Sequence, residues 1–326
     1  MNKQMIIKER LYPIKAKKLE VLRRRLKKNH EKAQMIELEY AKVLAGYRGE
    51  LSLNYFLSFL PQDQYYIFHD LRLPSLQNEY FFQIDILLLS KHFFLIIEVK
   101  NLAGSVTYDP RNQQLIQFHN EKEIVYKDPF LQVQRQKQQL YSWIEKANLT
   151  NLPPISTLVI LSNPQTLIKE NSHTNQKIIR PDKLTSKIAE YERIYKHELI
   201  TEKELKKLCR HLMKGHIEED YNILEKFKLT ADHLIPGVHC PKCSSLPMYR
   251  KRYSWICLRC KYENNEVYMP SLQDFYFLYG SSINNPQLRT FLGIPSRHQA
   301  KRILKSLNLT CIGSKKATSY TLPFNN

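Results

Sequence analysis

Glycine is scarce in this chain, with eight among 326 residues. Neither G-x-x-x-x-G-K-[ST] nor G-x-G-x-x-G occurs. ATP-driven and dinucleotide chemistry therefore lack their usual backbone cradle for phosphate. Acidic residues are outnumbered: 31 Asp and Glu face 50 Lys and Arg, a formal charge of +19. That excess predicts an anionic partner, either nucleic acid or an anionic membrane surface. No apolar run is long enough to span a bilayer, and MNKQMIIKERLY lacks the apolar core of a secretory signal. A cytoplasmic protein with no membrane partner is expected. Cysteine is sparse too. Of the six, four lie together and Cys209 and Cys311 lie apart. That pattern argues metal ligands plus structural thiols, not a disulfide framework.

What is present begins with Phe81–Asn101, FFQIDILLLSKHFFLIIEVKN. It reads as two apolar strands joined by a tight turn at Lys91-His92. Asp85, Glu98 and Lys100 are set into that apolar material. Ionised groups removed from water are costly unless paired or metal-bound. With Lys91-His92 as a two-residue loop, Ser90 pairs with Phe93, and Asp85 falls opposite Glu98. Glu98 and Lys100, two apart, share a face. Like charges placed directly opposite repel, and a divalent cation held by both carboxylates resolves the conflict. Oxygen-only ligands favour magnesium, manganese or calcium over zinc.

The flanking sequence supplies an α/β frame. Residues 35–60 are helical, with Leu38, Val43, Leu44, Tyr47, Leu51, Tyr55 and Phe59 as the expected apolar stripe and Pro61 as its stop. Glu50 in this helix reads on its own as a surface residue. A strand at Tyr65–Leu71, the central hairpin and a small meander over residues 105–126 follow. Asp128-Pro129 then opens a helix on which Gln132 and Gln136 lie one turn apart. Ile155–Leu161 reads as a buried strand parallel to a neighbour, and Gln176–Ile179 as an edge strand. Together these elements make a mixed sheet with helices on its faces. Polar helices follow from Pro181, with a capping box at Thr201 and Glu204.

Two further modules stand out. Cys240-x-x-Cys243 and Cys257-x-x-Cys260, thirteen residues apart, suit tetrahedral Zn2+ on four thiolates. Arg250, Lys251, Arg252 and neighbouring cations either offset the thiolate charge, contact phosphates, or do both. Tyr253 and Trp255 either stack on bases or pack against the ribbon. Beyond lie a helix at Asn285-Pro286 stopped by Gly293, a second helix capped by Ser296, and a hairpin around Gly313-Ser-Lys-Lys316. Arg297, Lys301, Arg302 and Lys305 surround the buried face of that second helix, Ala300, Ile303, Leu304 and Leu307. This order looks like a winged helix, which enters a major groove or serves protein contacts. At the other end, residues 1–33 hold twelve Lys or Arg against Glu9, Glu20 and Glu31. They read as a basic helix leaning on the body through Leu19, Leu22 and Leu26, or as a nucleic-acid contact.

Asp85, twelve residues, then Glu98-Val99-Lys100 resembles the D-x(n)-E-x-K pattern of the PD-(D/E)xK nuclease superfamily. More closely, the run resembles the NERD (nuclease-related domain) family. The resemblance rests on Gly49-Glu50, Gln83-Ile84-Asp85, Glu98-Val99-Lys100-Asn101 with Gly104, and Pro129-x-x-Gln132. It covers roughly residues 41–161. The resemblance implies a restriction-endonuclease-like mixed sheet flanked by helices and metal-dependent hydrolysis of phosphodiester bonds. Asp85, Glu98 and Glu50 would bind Mg2+ (or Mn2+), Lys100 would activate water and stabilise charge, and Gln132 would orient substrate or water. The expected organisation is a basic arm at 1–34, a nuclease-like domain at 35–180 and a helical linker at 181–235. A zinc ribbon at 236–268 and a winged-helix-like module at 269–326 complete it. DNA is the expected partner. The rival expectation is a non-catalytic nucleic-acid-binding or regulatory protein that retains a nuclease scaffold.

Overall fold

The computed structural model describes residues 5–61, 63–75, 80–146, 152–169, 178–251, 254–313 and 318–324. In chain order, strand β1 (Met5–Lys8) precedes helices α1 (Ile14–Arg25) and α2 (Ala33–Leu57). Strands β2 (Tyr66–Pro74), β3 (Phe81–Leu89) and β4 (Phe94–Lys100) follow. The meander β5 (Ser105–Asp109), β6 (Gln114–His119) and β7 (Lys122–Lys127) comes next. Helix α3 (Pro129–Glu145) leads to β8 (Ile155–Leu161), β9 (Leu167–Lys169) and β10 (Ile178–Ile179). Helices α4 (Leu184–Ile194), α5 (Glu202–Gly215) and α6 (Ile223–Lys226) come before the short strands β11 (Tyr249–Lys251), β12 (Ser254–Ile256) and β13 (Glu263–Asn264). The chain closes with α7 (Met269–Tyr279), β14 (Ser282–Asn284), α8 (Asn285–Leu292), α9 (Arg297–Ser306), β15 (Cys311–Ile312) and β16 (Ser319–Thr321). Two compact units result, Met1–Leu11 with Leu44–Glu219, and Tyr12–Val43 with Asp220–Asn326. The expected basic arm is thus divided at Leu11, and α2 contributes to both units.

The first unit is built on a six-stranded mixed sheet in the order β1-β2-β3-β4-β8-β10. The hairpin register is the expected one: Ile86 pairs with Ile97 and Leu89 with Phe94, and Ser90 N donates to the Phe93 carbonyl. Continuous apolar runs form β4 and β8 because both faces are covered, and the α3 crossover sets β8 parallel to β4. Val133, Leu140 and Ile144 of α3 and Leu205, Leu208 and Leu212 of α5 cover one face. Leu53 and Leu57 of α2 and Leu184 and Ile188 of α4 cover the other. A smaller sheet, β7-β6-β5-β9, packs around Leu102, Val106, Leu115 and Leu161. The expected edge strand survives as Ile178–Ile179, paired with β8. Its first two residues lie outside the described ones.

The stripe of α2 differs from the expected one. Leu38, Leu51, Tyr55 and Phe59 are exposed, while Leu53, Leu57 and Leu60 are buried. Those three continue the helical face that starts at the buried Gly49. A Cβ at Gly49 would come within 2.5 Å of both Asn101 Cβ and Ser162 Oγ. Glycine therefore marks the line of closest approach, and being weakly apolar it hides the phase of the stripe from a periodicity reading. Asn101 completes the contact by donating from Nδ2 to the Ala45 carbonyl at 2.6 Å.

The second unit packs α1, the first part of α2 and α6 to α9 around Leu19, Leu22, Trp255, Leu272, Leu288 and Leu304. Its three-stranded sheet β11-β12-β13 carries the cysteine knuckles, and β14-β16-β15 closes the helical pair α8 and α9. Gly293 ends α8 in the left-handed conformation, φ 66°, and Ser296 caps α9, as expected. Residues 314–316 of the expected hairpin turn lie outside the described residues. Asp274 is buried between Arg24, Arg25 and His239, at 2.5, 2.7 and 3.2 Å. Burial opposes its ionisation, but these partners outweigh that and hold its pKa below the usual range.

The Gly49 contact yields a paired prediction. Gly49→Ala should destabilise the protein by about 1–3 kcal/mol through overpacking. Gly46→Ala, where a Cβ meets nothing within 4 Å, should stabilise by about 0.5–1 kcal/mol through helix propensity. Urea unfolding of both variants measures the contrast.

Candidate functional site

The acidic cluster forms where the strands stop pairing. The β3–β4 ladder ends at Ile86–Ile97, one step before Asp85 and Glu98. In place of a ladder bond, Asp85 Oδ2 accepts the Val99 N–H at 2.9 Å. Asp85 thus stands opposite Glu98, as the register requires. Glu98, 3% exposed, lies on the face covered by α3. Its Oε1 accepts from Lys100 Nζ at 2.6 Å and its Oε2 from Gln136 Nε2 at 3.1 Å. Lys100 Nζ also donates to Gln132 Oε1 at 3.1 Å. The expected Asp85, Glu98, Lys100 and Gln132 therefore meet. Gln136 was legible only as the residue one turn from Gln132.

A second group was not legible in the sequence. Asp70 of β2 faces Asp85 in register, but the paired residues are His69–Ile86 and Leu71–Ile84 on either side. Asp70 is left-handed, φ 50°. Across this point both strands change faces. Tyr66, Phe68, Leu71 and Leu73 of β2 belong to one core, as do Phe82, Ile84, Leu87 and Leu89 of β3. Even positions give way to odd, so the alternation reverses at the two aspartates. Arg10 enters this break just past β1. Its Nη1 donates to Glu50 Oε2, and to Asp70 Oδ1 at 2.9 Å. Its Nη2 donates to the Asp85 carbonyl at 3.0 Å and lies 3.2 Å from His69 Nδ1. The Arg10 side chain is 1% exposed. Glu50 is accordingly at the cluster, as the resemblance implies, and its direct partner is Arg10.

Charge decides what the site can hold. Four carboxylates, Glu50, Asp70, Asp85 and Glu98, are met by two bonded cations, Arg10 and Lys100. Burial, then the Asp85 charge, raises Glu50 to a pKa of about 10. Burial, then Glu98, raises Asp85 well above the carboxylate range. Burial and Arg10 take His69 down to about 3, so its imidazole is neutral. Gln136 Oε1, on the residue bonded to Glu98, is a buried acceptor with no donor. An acid-rich cluster with an orphaned acceptor fits a divalent cation at Asp85 and Glu98. Among the described residues, the acidic side chains do not form a group of three with ligand atoms within 4.8 Å. The donors are two carboxylates with amide and carbonyl oxygens beside them.

Residues 45–162 match the family model of NERD, the nuclease-related domain. This segment is similar to the nuclease-related domain family. It contains every residue of the acidic cluster except Arg10, which comes from outside it. No curated protein and no solved structure matches the chain. Within the matched segment, the residues that carry the resemblance have physical explanations. Gly49 permits the approach of α2, and Asn101 fastens it. A side chain on Gly104, φ +78°, would collide with the Phe118 carbonyl.

The cysteines form a separate centre. Cys240, Cys243, Cys257 and Cys260 have ligand atoms within 4.8 Å of one another. Cys240 Sγ and Cys260 Sγ are 3.6 Å apart, and Cys243 Sγ and Cys257 Sγ 3.5 Å. Zinc bonds of about 2.3 Å in a tetrahedron separate sulfurs by roughly 3.8 Å, so the four thiols can hold a zinc ion. The Cys260 backbone N–H draws the Cys257 thiol down to about 6. Trp255 is 1% exposed under the Arg250 guanidinium, 4.5 Å from its ring centre. Of the two readings for this tryptophan, packing is the observed one. Arg250 is half-buried and Lys251 exposed, and Arg252 and Tyr253 lie outside the described residues. Arg297, Lys301, Arg302 and Lys305 are exposed along α9. Among the described residues, no helix is long and apolar enough to cross a membrane.

Two outcomes follow from these centres. Cys257→Ser should abolish binding of one zinc per chain, by atomic absorption, and lower the melting temperature of the second unit. For Glu50, the folded pKa of about 10 exceeds its ordinary 4.5. A carboxyl that keeps its proton in the folded state loses its stabilising contribution as pH rises between those values. In metal-free protein, the stability of wild type relative to Glu50→Gln should therefore fall from pH 5.5 to pH 8.5, measured by urea midpoints. A flat difference would show that ionised Glu50 is tolerated.

Proposed function

We propose that this protein is a metal-dependent nuclease hydrolysing phosphodiester bonds of DNA. The observation that supports this most is the meeting of Asp85, Glu98, Lys100 and Gln132 inside a nuclease-related domain. Asp85 and Glu98 hold Mg2+ or Mn2+ in this reading, with Glu50 beside them on Arg10. When bound, the ion supplies Lewis-acid polarisation of the phosphoryl group and lowers the pKa of water. Lys100, a quarter exposed, offers an ammonium to the charge that develops on the phosphoryl oxygens. Gln132 and Glu98 fix the direction of that ammonium. Gln136 holds Glu98 in place.

Delivery to DNA falls to the basic surface of the second unit. Arg297, Lys301 and Lys305 lie one turn apart on α9, the helix that in a winged helix enters the major groove. Arg250, Lys251 and Arg302 extend the same positive field. Such contacts raise the local DNA concentration without adding to the chemistry. Reduced thiols gathered for zinc suit a cytoplasmic setting. A second reading, a non-catalytic nucleic-acid-binding protein on a nuclease scaffold, draws on the Arg10–Glu50 pair, which removes one carboxylate from metal binding.

Cleavage of linear, nicked and single-stranded DNA with and without Mg2+ or Mn2+ separates the two readings. Wild type should cut only with metal. Asp85→Ala, Glu98→Ala and Lys100→Ala should each cut at least about 100-fold more slowly. Cleavage that survives Asp85→Ala and Lys100→Ala would sink the catalytic assignment. Arg297→Ala with Lys301→Ala should weaken DNA binding and reduce its salt slope by about two.

A further inference from the structure

We propose that Arg10 is a positioning residue of the candidate nuclease site: its guanidinium holds the backbone of Asp85 in place, which makes the N-terminal segment a working part of the catalytic unit. The inference rests on the reading of Asp85 and Glu98 as the metal-binding pair. It adds a residue that lies outside the segment matching the nuclease-related domain.

Asp85 sits in a gap in the sheet. On one side the β3–β4 ladder ends at Ile86–Ile97. On the other, the β2–β3 pairing passes from His69–Ile86 to Leu71–Ile84 and skips Asp85, where Asp70 is left-handed, φ 50°. A left-handed residue other than glycine has an energetic cost and persists where its surroundings over-determine it. Two hydrogen bonds stand in for the missing ladder. The Val99 N–H donates to Asp85 Oδ2 at 2.9 Å, and Arg10 Nη2 donates to the Asp85 carbonyl at 3.0 Å. The first fixes the carboxylate, and the second fixes the backbone that carries it.

The guanidinium is itself anchored. Its Nη1 donates to Glu50 Oε2 and to Asp70 Oδ1, and its Nη2 lies 3.2 Å from His69 Nδ1. One group thereby ties together α2 through Glu50, β2 through Asp70 and β3 through Asp85. A planar fork with donors in fixed directions can do this, whereas an ammonium is a point charge on a flexible stem. The Arg10 side chain is 1% exposed, so DNA does not reach it and it acts only through its neighbours. Strand β1 is shaped for the delivery. It runs parallel to β2, and Ile7 is an extra residue between the Ile6–Ile67 and Lys8–Phe68 pairs. A bulge bends a strand and re-aims the side chains beyond it, and Arg10 follows directly. Partners that orient a metal ligand from behind are typically worth about 10–100-fold in metal affinity or activity.

The test compares the full-length, zinc-loaded protein with Arg10→Ala and Arg10→Lys. Mn2+ binding is read without DNA, from the electron paramagnetic resonance of free Mn2+. Thiolates prefer zinc to manganese, so the ribbon does not enter the measurement. Both variants should bind Mn2+ about 10–100-fold more weakly than wild type. The metal concentration giving half the maximal cleavage rate should rise by the same factor, while the rate at saturating metal stays within about threefold of wild type. A mere loss of folded protein would lower that rate and leave the half-saturation point where it was. Removing a positive charge would by itself tighten metal binding, so equal or tighter binding in Arg10→Ala overturns the proposal. Wild-type affinity in Arg10→Lys overturns it too, because charge without the fork would then suffice. Where Arg10→Ala does not fold, Arg10→Lys decides alone; if neither folds, Arg10 is structural and the proposal is overturned. A wild type that binds Mn2+ but cuts no DNA refutes the nuclease reading, and the binding comparison still decides the role of Arg10. A wild type that binds no Mn2+ overturns both.

Discussion

The repulsion between Asp85 and Glu98 is the constraint around which the first unit is arranged. Two carboxylates placed opposite each other at the end of an apolar sheet cannot both ionise there without nearby positive charge. Lys100 meets one oxygen of Glu98, Gln136 meets the other, and the Val99 N–H meets Asp85. These partners fix the positions of the acids, but Lys100 alone does not balance them. A divalent cation between the two acids would relieve that repulsion, and a neutral ligand would not.

The fold meets this constraint by breaking its own regularity. A sheet that alternated faithfully through Asp70 and Asp85 would send each strand's side chains to fixed faces from end to end. Here the alternation reverses at the two aspartates, and the covering helices are placed accordingly. Helix α3 brings Gln132 and Gln136 over Glu98 and Lys100. Helix α2 brings Glu50 from the other face, at a distance set by the absence of a side chain on Gly49. The strand break also frees a backbone carbonyl, and Arg10 takes it. Strands and helices therefore hold Glu50, Glu98, Lys100 and the two glutamines, while Arg10 comes from the chain just past β1 and the irregular backbone is confined to the Asp70 break.

How much of this was legible follows from how each signal works. The hairpin register could be counted outward from Lys91-His92, because a two-residue loop fixes pairing and apolar strands tolerate no slip. The cysteine spacing and the caps at Thr201, Ser296 and Gly293 were legible for the same reason: each is a local rule with one geometric outcome. The stripe of α2 was not, because its phase is set by a glycine contact with residues 52 and 113 positions away, Asn101 and Ser162. Asp70 and His69 looked like ordinary polar residues in a strand, since a left-handed residue other than glycine leaves no trace in composition. Arg10 was least legible of all. In a run of twelve cations, nothing local distinguishes the one that enters the core.

That last failure changes where the positive charge of the chain is available. The N-terminal run is the most basic segment of the sequence, yet many of its cations are paired within the protein. Arg10 serves the acidic cluster, Lys15 pairs with Glu39, Arg23 with Glu37, and Arg24 and Arg25 with Asp274. Lys18 donates to the Tyr221 carbonyl at 2.6 Å. The buried ones, Arg10 and Arg25, cannot also release counterions from a polyanion. On α9, by contrast, Arg297, Lys301 and Lys305 are exposed and take no ion pair among the described residues. A net charge of +19 is therefore a poor guide to the location of a nucleic-acid surface. Much of the segment with the highest charge density is paired internally, and the shorter, evenly spaced row on α9 is the one exposed without an ion pair among the described residues.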